Sequence, residues 1–138
     1  MLVYIVEDSD DIIEVEKYAL ERIGYEVEGF SKSKPFFDRV RAKKPDMILL
    51  DVFIYEENGY DVLSRLRTSV DTKNIPVIMV YGDCDDIVPY DEKGAILEKY
   101  YRENGGTIIA IGKENCGHHP HGLEDHTPLI EFAEKYCK

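Results

Sequence analysis

The run Leu2-Val3-Tyr4-Ile5-Val6, closed by Glu7-Asp8 and followed by Ser9-Asp10-Asp11, decides the fold class. An unbroken apolar run rich in β-branched residues fits a strand buried on both faces, whereas a half-exposed strand would alternate. The two acids end the strand. Ser9-Asp10-Asp11 then gives the polar, acidic start that suits a helix N-terminus, and Ile12, Val15, Ala19 and Ile23 recur at helical spacing with Gly24 after the last. Working outward, the same unit repeats. Strands are expected over residues 25–30, 47–51, 75–81 and 107–112, and helices over 34–42, 59–68 and 91–103. Thr127-Pro128 caps a last helix that runs to Tyr136. Strands that alternate with helices pair in parallel through right-handed crossovers, which predicts an α/β three-layer sandwich.

Composition sets the outer limits. The 138 residues are 43% hydrophobic, enough for one compact core and too few for two full domains, so the chain reads as a single domain over 1–138. Its 17 Lys and Arg against 28 Asp and Glu give a formal charge of −11, which repels a phosphate backbone and argues against nucleic-acid binding. The apolar runs fall far short of the roughly 20 residues needed to span a bilayer, and the N-terminus lacks a basic region followed by an apolar stretch. The expected setting is therefore cytoplasmic, away from membranes. Cys84, Cys116 and Cys137 show neither metal-site spacing nor an even count, and read as reduced thiols. All three lie after residue 80, as do the four histidines, His118, His119, His121 and His126.

In an open parallel sheet, ligands gather beyond the carboxyl ends of the strands, at the point where strand order reverses. With the order 2-1-3-4-5, strands one and three are neighbours, and Glu7, Asp8 and Asp51 meet there. Three hard oxygen donors with room for water suit Mg²⁺, bound weakly and with part of its hydration shell retained. Without a cation, the like charges would raise the pKa of one carboxyl.

These residues resemble the receiver domain of bacterial response regulators. The resemblance covers about residues 1–80 and rests on the pair Glu7-Asp8, the stretch Pro45-Asp46-Met47-Ile48-Leu49-Leu50-Asp51, Gly59 eight positions after Asp51, and Asn74-Ile75-Pro76-Val77-Ile78-Met79-Val80. It implies a flavodoxin-like five-stranded sheet with Asp51 as phosphoacceptor. Glu7, Asp8, Asp51 and the backbone carbonyl of Phe53 would be the Mg²⁺ ligands, and a histidine kinase or a small phosphodonor the partner. Lys113, at the end of strand five, stands where the family places a phosphoryl-binding lysine. Tyr81 stands where the family has Ser or Thr, and Tyr55 where a proline is usual, so signalling is expected to be impaired.

From about residue 77 onward the sequence resembles the C-terminal part of an α/β-hydrolase of the esterase or lipase type. The residues that carry this are Gly82-Asp83-Cys84-Asp85-Asp86-Ile87-Val88-Pro89-Tyr90 and Gly117-His118-His119-Pro120-His121-Gly122-Leu123. By that resemblance Asp85 orients His118, as in a catalytic triad. The nucleophile elbow G-x-S-x-G is missing, however, and Ser9, the serine nearest the expected site, lacks the elbow glycines. His119 and His121 are assigned to packing or hydrogen bonding, and His126 to the surface. Together the two resemblances predict a chimera, engineered or recombined, joined near strand four with residues 81–138 from the hydrolase side. Its expected chemistry is phosphoacceptance at Asp51. The alternatives are an esterase remnant and a structural chimera with no selected activity.

Overall fold

The computed structural model describes residues 1–51, 53–54, 57–82, 95–103, 105–113 and 126–137. In chain order the elements are β1 (Leu2–Val6), α1 (Asp10–Glu21), β2 (Glu26–Phe30), α2 (Ser33–Ala42), β3 (Met47–Asp51), β4 (Phe53–Ile54), β5 (Glu57–Asn58), α3 (Gly59–Thr68), β6 (Val77–Gly82), α4 (Ala95–Glu103), β7 (Ile108–Lys113) and α5 (Thr127–Tyr136). The main sheet has the order β2-β1-β3-β6-β7, and all its pairs are parallel. This is the predicted 2-1-3-4-5 sheet. The antiparallel pair β4-β5, in register Phe53↔Asn58 and Ile54↔Glu57, was not expected. Two-residue strands are too short to leave a periodic signal.

The buried strand pattern explains the layers. Val3, Tyr4, Ile5 and Val6 are all fully buried, so β1 is covered on both faces. Alternate side chains enter two clusters. Tyr4 and Val6 join Phe36, Phe37, Tyr60, Leu63, Leu66 and Tyr101 on the side of α2, α3 and α4. Val3 and Ile5 join Ile13, Leu20, Leu129 and Phe132 on the side of α1 and α5. Each fully buried aliphatic side chain contributes roughly 1.5–3 kcal/mol.

Local chemistry sets the helix ends. The Ile12 amide donates to Ser9 Oγ at 3.4 Å, Asp10 and Asp11 occupy the first turn of α1, and Gly24 takes φ 95° where the chain leaves the helix. At the start of α3, the Tyr60 amide donates to Asn58 Oδ1 at 2.8 Å. Three expectations are corrected here. The α1 stripe buried against the sheet is Ile13, Glu16 and Leu20, whereas Val15 and Ile23 of the predicted stripe are 60% and 45% exposed. At α5 the cap position falls on His126, and Thr127 is already helical with Pro128 next. His126, expected at the surface, is half-buried.

The two sheet edges differ. On β2, Glu28 accepts two 2.9 Å hydrogen bonds from the Arg39 guanidinium, and Glu26 pairs with Lys43 at 3.4 Å. The opposite edge is β7, which carries Ile108, Ile109, Ala110 and Ile111. Among the described residues, no helix is long and apolar enough to cross a membrane.

Candidate functional site at the carboxyl ends of the central strands

The register Val6↔Leu50 sets the end of β1 beside the end of β3, so Glu7 and Asp51 fall together at the strand-order reversal. Glu7 is held at both ends. Its amide donates to Phe30 O at 3.0 Å, continuing the ladder to β2, and its Oε1 accepts from the Ser9 amide at 3.1 Å. Glu7 is 4% exposed and Asp51 5%. The Glu7 carboxyl makes side-chain hydrogen bonds to Asp51 and to the half-buried Asp8.

Carboxyl oxygens can hydrogen-bond to one another only if one of them carries a proton. Burial raises the Glu7 pKa first, and the hydrogen bond and negative charge of Asp51 raise it further, to about 10. The Ser9 amide pulls the other way. The structure thus joins Glu7 to both acids that the sequence singled out.

It also adds an acid that the sequence reading missed. Glu16 is 3% exposed and lines a narrow crevice with Ile5, Glu7, Leu49, Asp51 and Val80. The signal was in the sequence, since Ile13, Glu16 and Leu20 lie at helical spacing, but an acid at the centre of a buried stripe hides it.

The donor set fits a divalent cation, because Glu7, Asp51 and the half-buried Asp8 are hard oxygen donors whose like charges a cation would neutralise. Among the described residues, no three His, Cys, Asp or Glu side chains form a ready-made cage. Water and backbone oxygen would have to complete the shell. Phe53, the expected backbone ligand, begins β4 two residues after Asp51.

The remaining predicted positions are spread over the rest of the sheet. Lys113 ends β7 in register with Gly82, at the same end of the sheet as Asp51 but with β6 between their strands. Tyr81 packs across Gly112, where an added Cβ would lie 2.8 Å from both Cζ and Oη of the ring. Its hydroxyl end therefore lies over β7, while Asp51 lies on the other side of β6. Asp85, His118, His119, His121, Cys84, Cys116 and Tyr55 fall outside the described residues. Cys137 is a half-buried free thiol whose pKa burial pushes up to about 11, with a smaller contribution from Asp46.

Comparison with known proteins bears on the whole arrangement. The family model of the response regulator receiver domain matches residues 3–97, past the expected join near strand four. The transcriptional regulatory protein CseB of Streptomyces avermitilis is 36% identical over 85 residues, 62% of this chain and 35% of that protein. The alkaline phosphatase synthesis transcriptional regulatory protein PhoP of Bacillus subtilis is 34% identical over 65 residues, 47% of this chain and 27% of that protein. The chain thus spans about a third of the length of these regulators or less. A response regulator receiver protein from Pseudomonas putida superposes with a TM-score of 0.72 at 21% identity, covering 97% of this chain and 95% of that one. The N-terminal domain of a response regulator receiver protein from Methanoculleus marisnigri JR1 gives 0.61 at 25% identity, over 97% and 94%.

Proposed function

Because the chain belongs to the response regulator receiver family, we propose that it accepts a phosphoryl group on Asp51, with Glu7 and Asp8 as the acids that hold Mg²⁺ beside it. The observation that carries this reading is the burial of Asp51 at the strand-order reversal, hydrogen-bonded to Glu7. Bound there, with the Phe53 carbonyl as a further ligand, Mg²⁺ would supply charge neutralisation for the carboxylates and for the incoming phosphoryl oxygens.

The chain's own contribution is positioning. The β1-β3 register fixes Asp51 against Glu7, and the Ser9 amide holds the Glu7 carboxyl in place. A carboxylate oxygen of Asp51 attacks phosphorus in line. The new O–P bond forms as the bond to the leaving group breaks, and the leaving group departs with the electron pair. The donor is a histidine kinase or a small phosphodonor, and Lys113 is the candidate contact to the phosphoryl oxygens.

The same reading has the acceptor coupled weakly to any switch. A modification shifts a conformational equilibrium only through interactions that differ between the two states. A hydroxyl seated over Gly112 is badly placed to gain a contact at Asp51. The hydrolase-like segment with Asp85 and His118 rests on its sequence motifs alone, and the receiver match runs through residue 97, so phosphoacceptance is preferred to ester hydrolysis.

Incubation with a small phosphodonor and Mg²⁺, followed by intact-mass measurement, tests the proposal. One added phosphoryl group is expected on the parent chain and none on Asp51→Asn. Equal modification of both would refute the assignment. Ester turnover that disappears in Ser9→Ala or His118→Ala would replace this reading with the hydrolase one.

A further inference from the structure

A cavity of about 430 Å³ opens between the C-terminal halves of α2 and α3, within the usual size range of small-molecule sites. It lies at the amino ends of the strands, away from Asp51. Lys44 comes just before β3, and Asp71 lies in the turn that leads to β6. Its apolar wall is Phe37 and Val40, and its polar rim includes Arg41, Lys44, Arg65 and Asp71.

Three features make this more than a gap between helices. The Arg65 guanidinium carbon lies 3.9 Å from the Phe37 ring centroid, so the side chain is stacked on the cavity wall. A stacked guanidinium keeps its N–H edge for an oxyanion, and less side-chain freedom is lost when it binds one. Neither Arg65 nor Lys44 pairs with a carboxylate among the described residues, in a chain where acids outnumber bases 28 to 17. The rim is also net cationic. Asp38 is shared between Lys34 and Arg41, so with Lys44 and Arg65 four cations stand against Asp38 and Asp71, a net charge of two positive. That charge calls for an anion, and the apolar wall calls for one with an apolar body rather than phosphate.

We propose that this cavity binds a small monocarboxylate with an apolar body. Its carboxylate sits on Arg65 and Lys44, and its apolar part lies against Phe37 and Val40. The site is separate from phosphoacceptance and does not depend on it.

The test is an amide-resolved NMR titration of the full chain with benzoate, benzyl alcohol and inorganic phosphate, each up to about 50 mM, a range that captures millimolar binding. Benzoate is expected to shift amides of residues 37–44 and 65–72. Arg65→Gln should weaken it about tenfold, the loss expected for one charge-assisted contact, and Lys32→Gln, at the far end of α2, should change nothing. If Arg65→Gln loses the dispersed spectrum of the folded chain, Lys44→Gln takes its place, with a loss of about threefold expected. The proposal is overturned by the absence of benzoate shifts, by shifts confined to residues around Asp51, by equal binding of benzyl alcohol, or by tighter binding of phosphate than of benzoate at this cavity.

Discussion

Asp51→Asn should stabilise the metal-free protein, and the gain should grow with pH. In the parent, Glu7 keeps its proton up to about pH 10, while in the unfolded chain it ionises near 4.5. The folded pKa is raised, so the stabilisation is complete below the unfolded value and is lost as pH rises through the folded one. Between those limits the native state holds one more proton, and stability falls by at most about 1.4 kcal/mol per pH unit. The amide removes the charge of Asp51 and offers N–H donors to Glu7, leaving burial as the chief remaining cause of the shift. Removing the like charge lowers the Glu7 pKa by about 1–3 units, and because Glu7 still holds much of its proton at pH 8 only up to about 1.4 kcal/mol of this is realised there, the rest appearing as pH rises further. For a chain of this size that raises Tm by up to about 5 °C at pH 8 with EDTA present. Urea and thermal unfolding at pH 5 and pH 8, with and without Mg²⁺, provide the assay. The gain should shrink at pH 5, and Mg²⁺ should stabilise the parent more than the variant. A gain that is the same at both pH values, or a variant less stable than the parent at pH 8, would refute the reasoning.

Other expectations concern the frame around the site. Gly106→Ala should cost about 1–3 kcal/mol, because a Cβ there runs into the buried ring of Tyr101 and lies 2.8 Å from its carbonyl oxygen; chemical denaturation measures it. Tyr101→Phe should cost about 1–2 kcal/mol, since it deletes the 2.8 Å hydrogen bond to the Ile75 carbonyl and leaves that oxygen buried; urea unfolding should show an unchanged slope and a lower midpoint. Burial raises the Cys137 thiol to about 11, so in the native protein it should react with a maleimide at least about tenfold more slowly than in urea, as read by peptide mapping. A native rate equal to the unfolded one would show that the thiol is not held against the core.

Much of this architecture was legible because the central strands are buried on both faces and so spell out unbroken apolar runs. Met47–Asp51 carried its strand, its terminal acid and its place beside β1 together. Helix α1 was found, but its inward face was misjudged. Ile12, Val15, Ala19 and Ile23 fit a helical period as well as Ile13, Glu16 and Leu20 do, and period alone does not say which face meets the sheet. Only the packing shows that an acid occupies the buried face. The meeting of Glu7 and Asp51, and a raised pKa on one carboxyl there, could be anticipated from strand order, whereas the choice of Glu7 and the leading share of burial in the shift depend on depth, a tertiary quantity. Tyr81 was recognised as unusual from its position. Its resting place over Gly112 required the β6-β7 register.

The two unlike sheet edges bear on how the protein meets other copies of itself in crowded or partly unfolded conditions. An exposed strand offers unpaired amides and carbonyls to any similar strand, and charge along that strand discourages the approach. On β2 the guard is built in, because Glu26 and Glu28 are locked to Lys43 and Arg39 and bring both signs of charge to the rim. On β7 the strand residues Ile108 to Ile111 carry no charge at all. Edge-to-edge association is therefore expected to start from β7, whose one charged strand residue, Lys113, stands at its end.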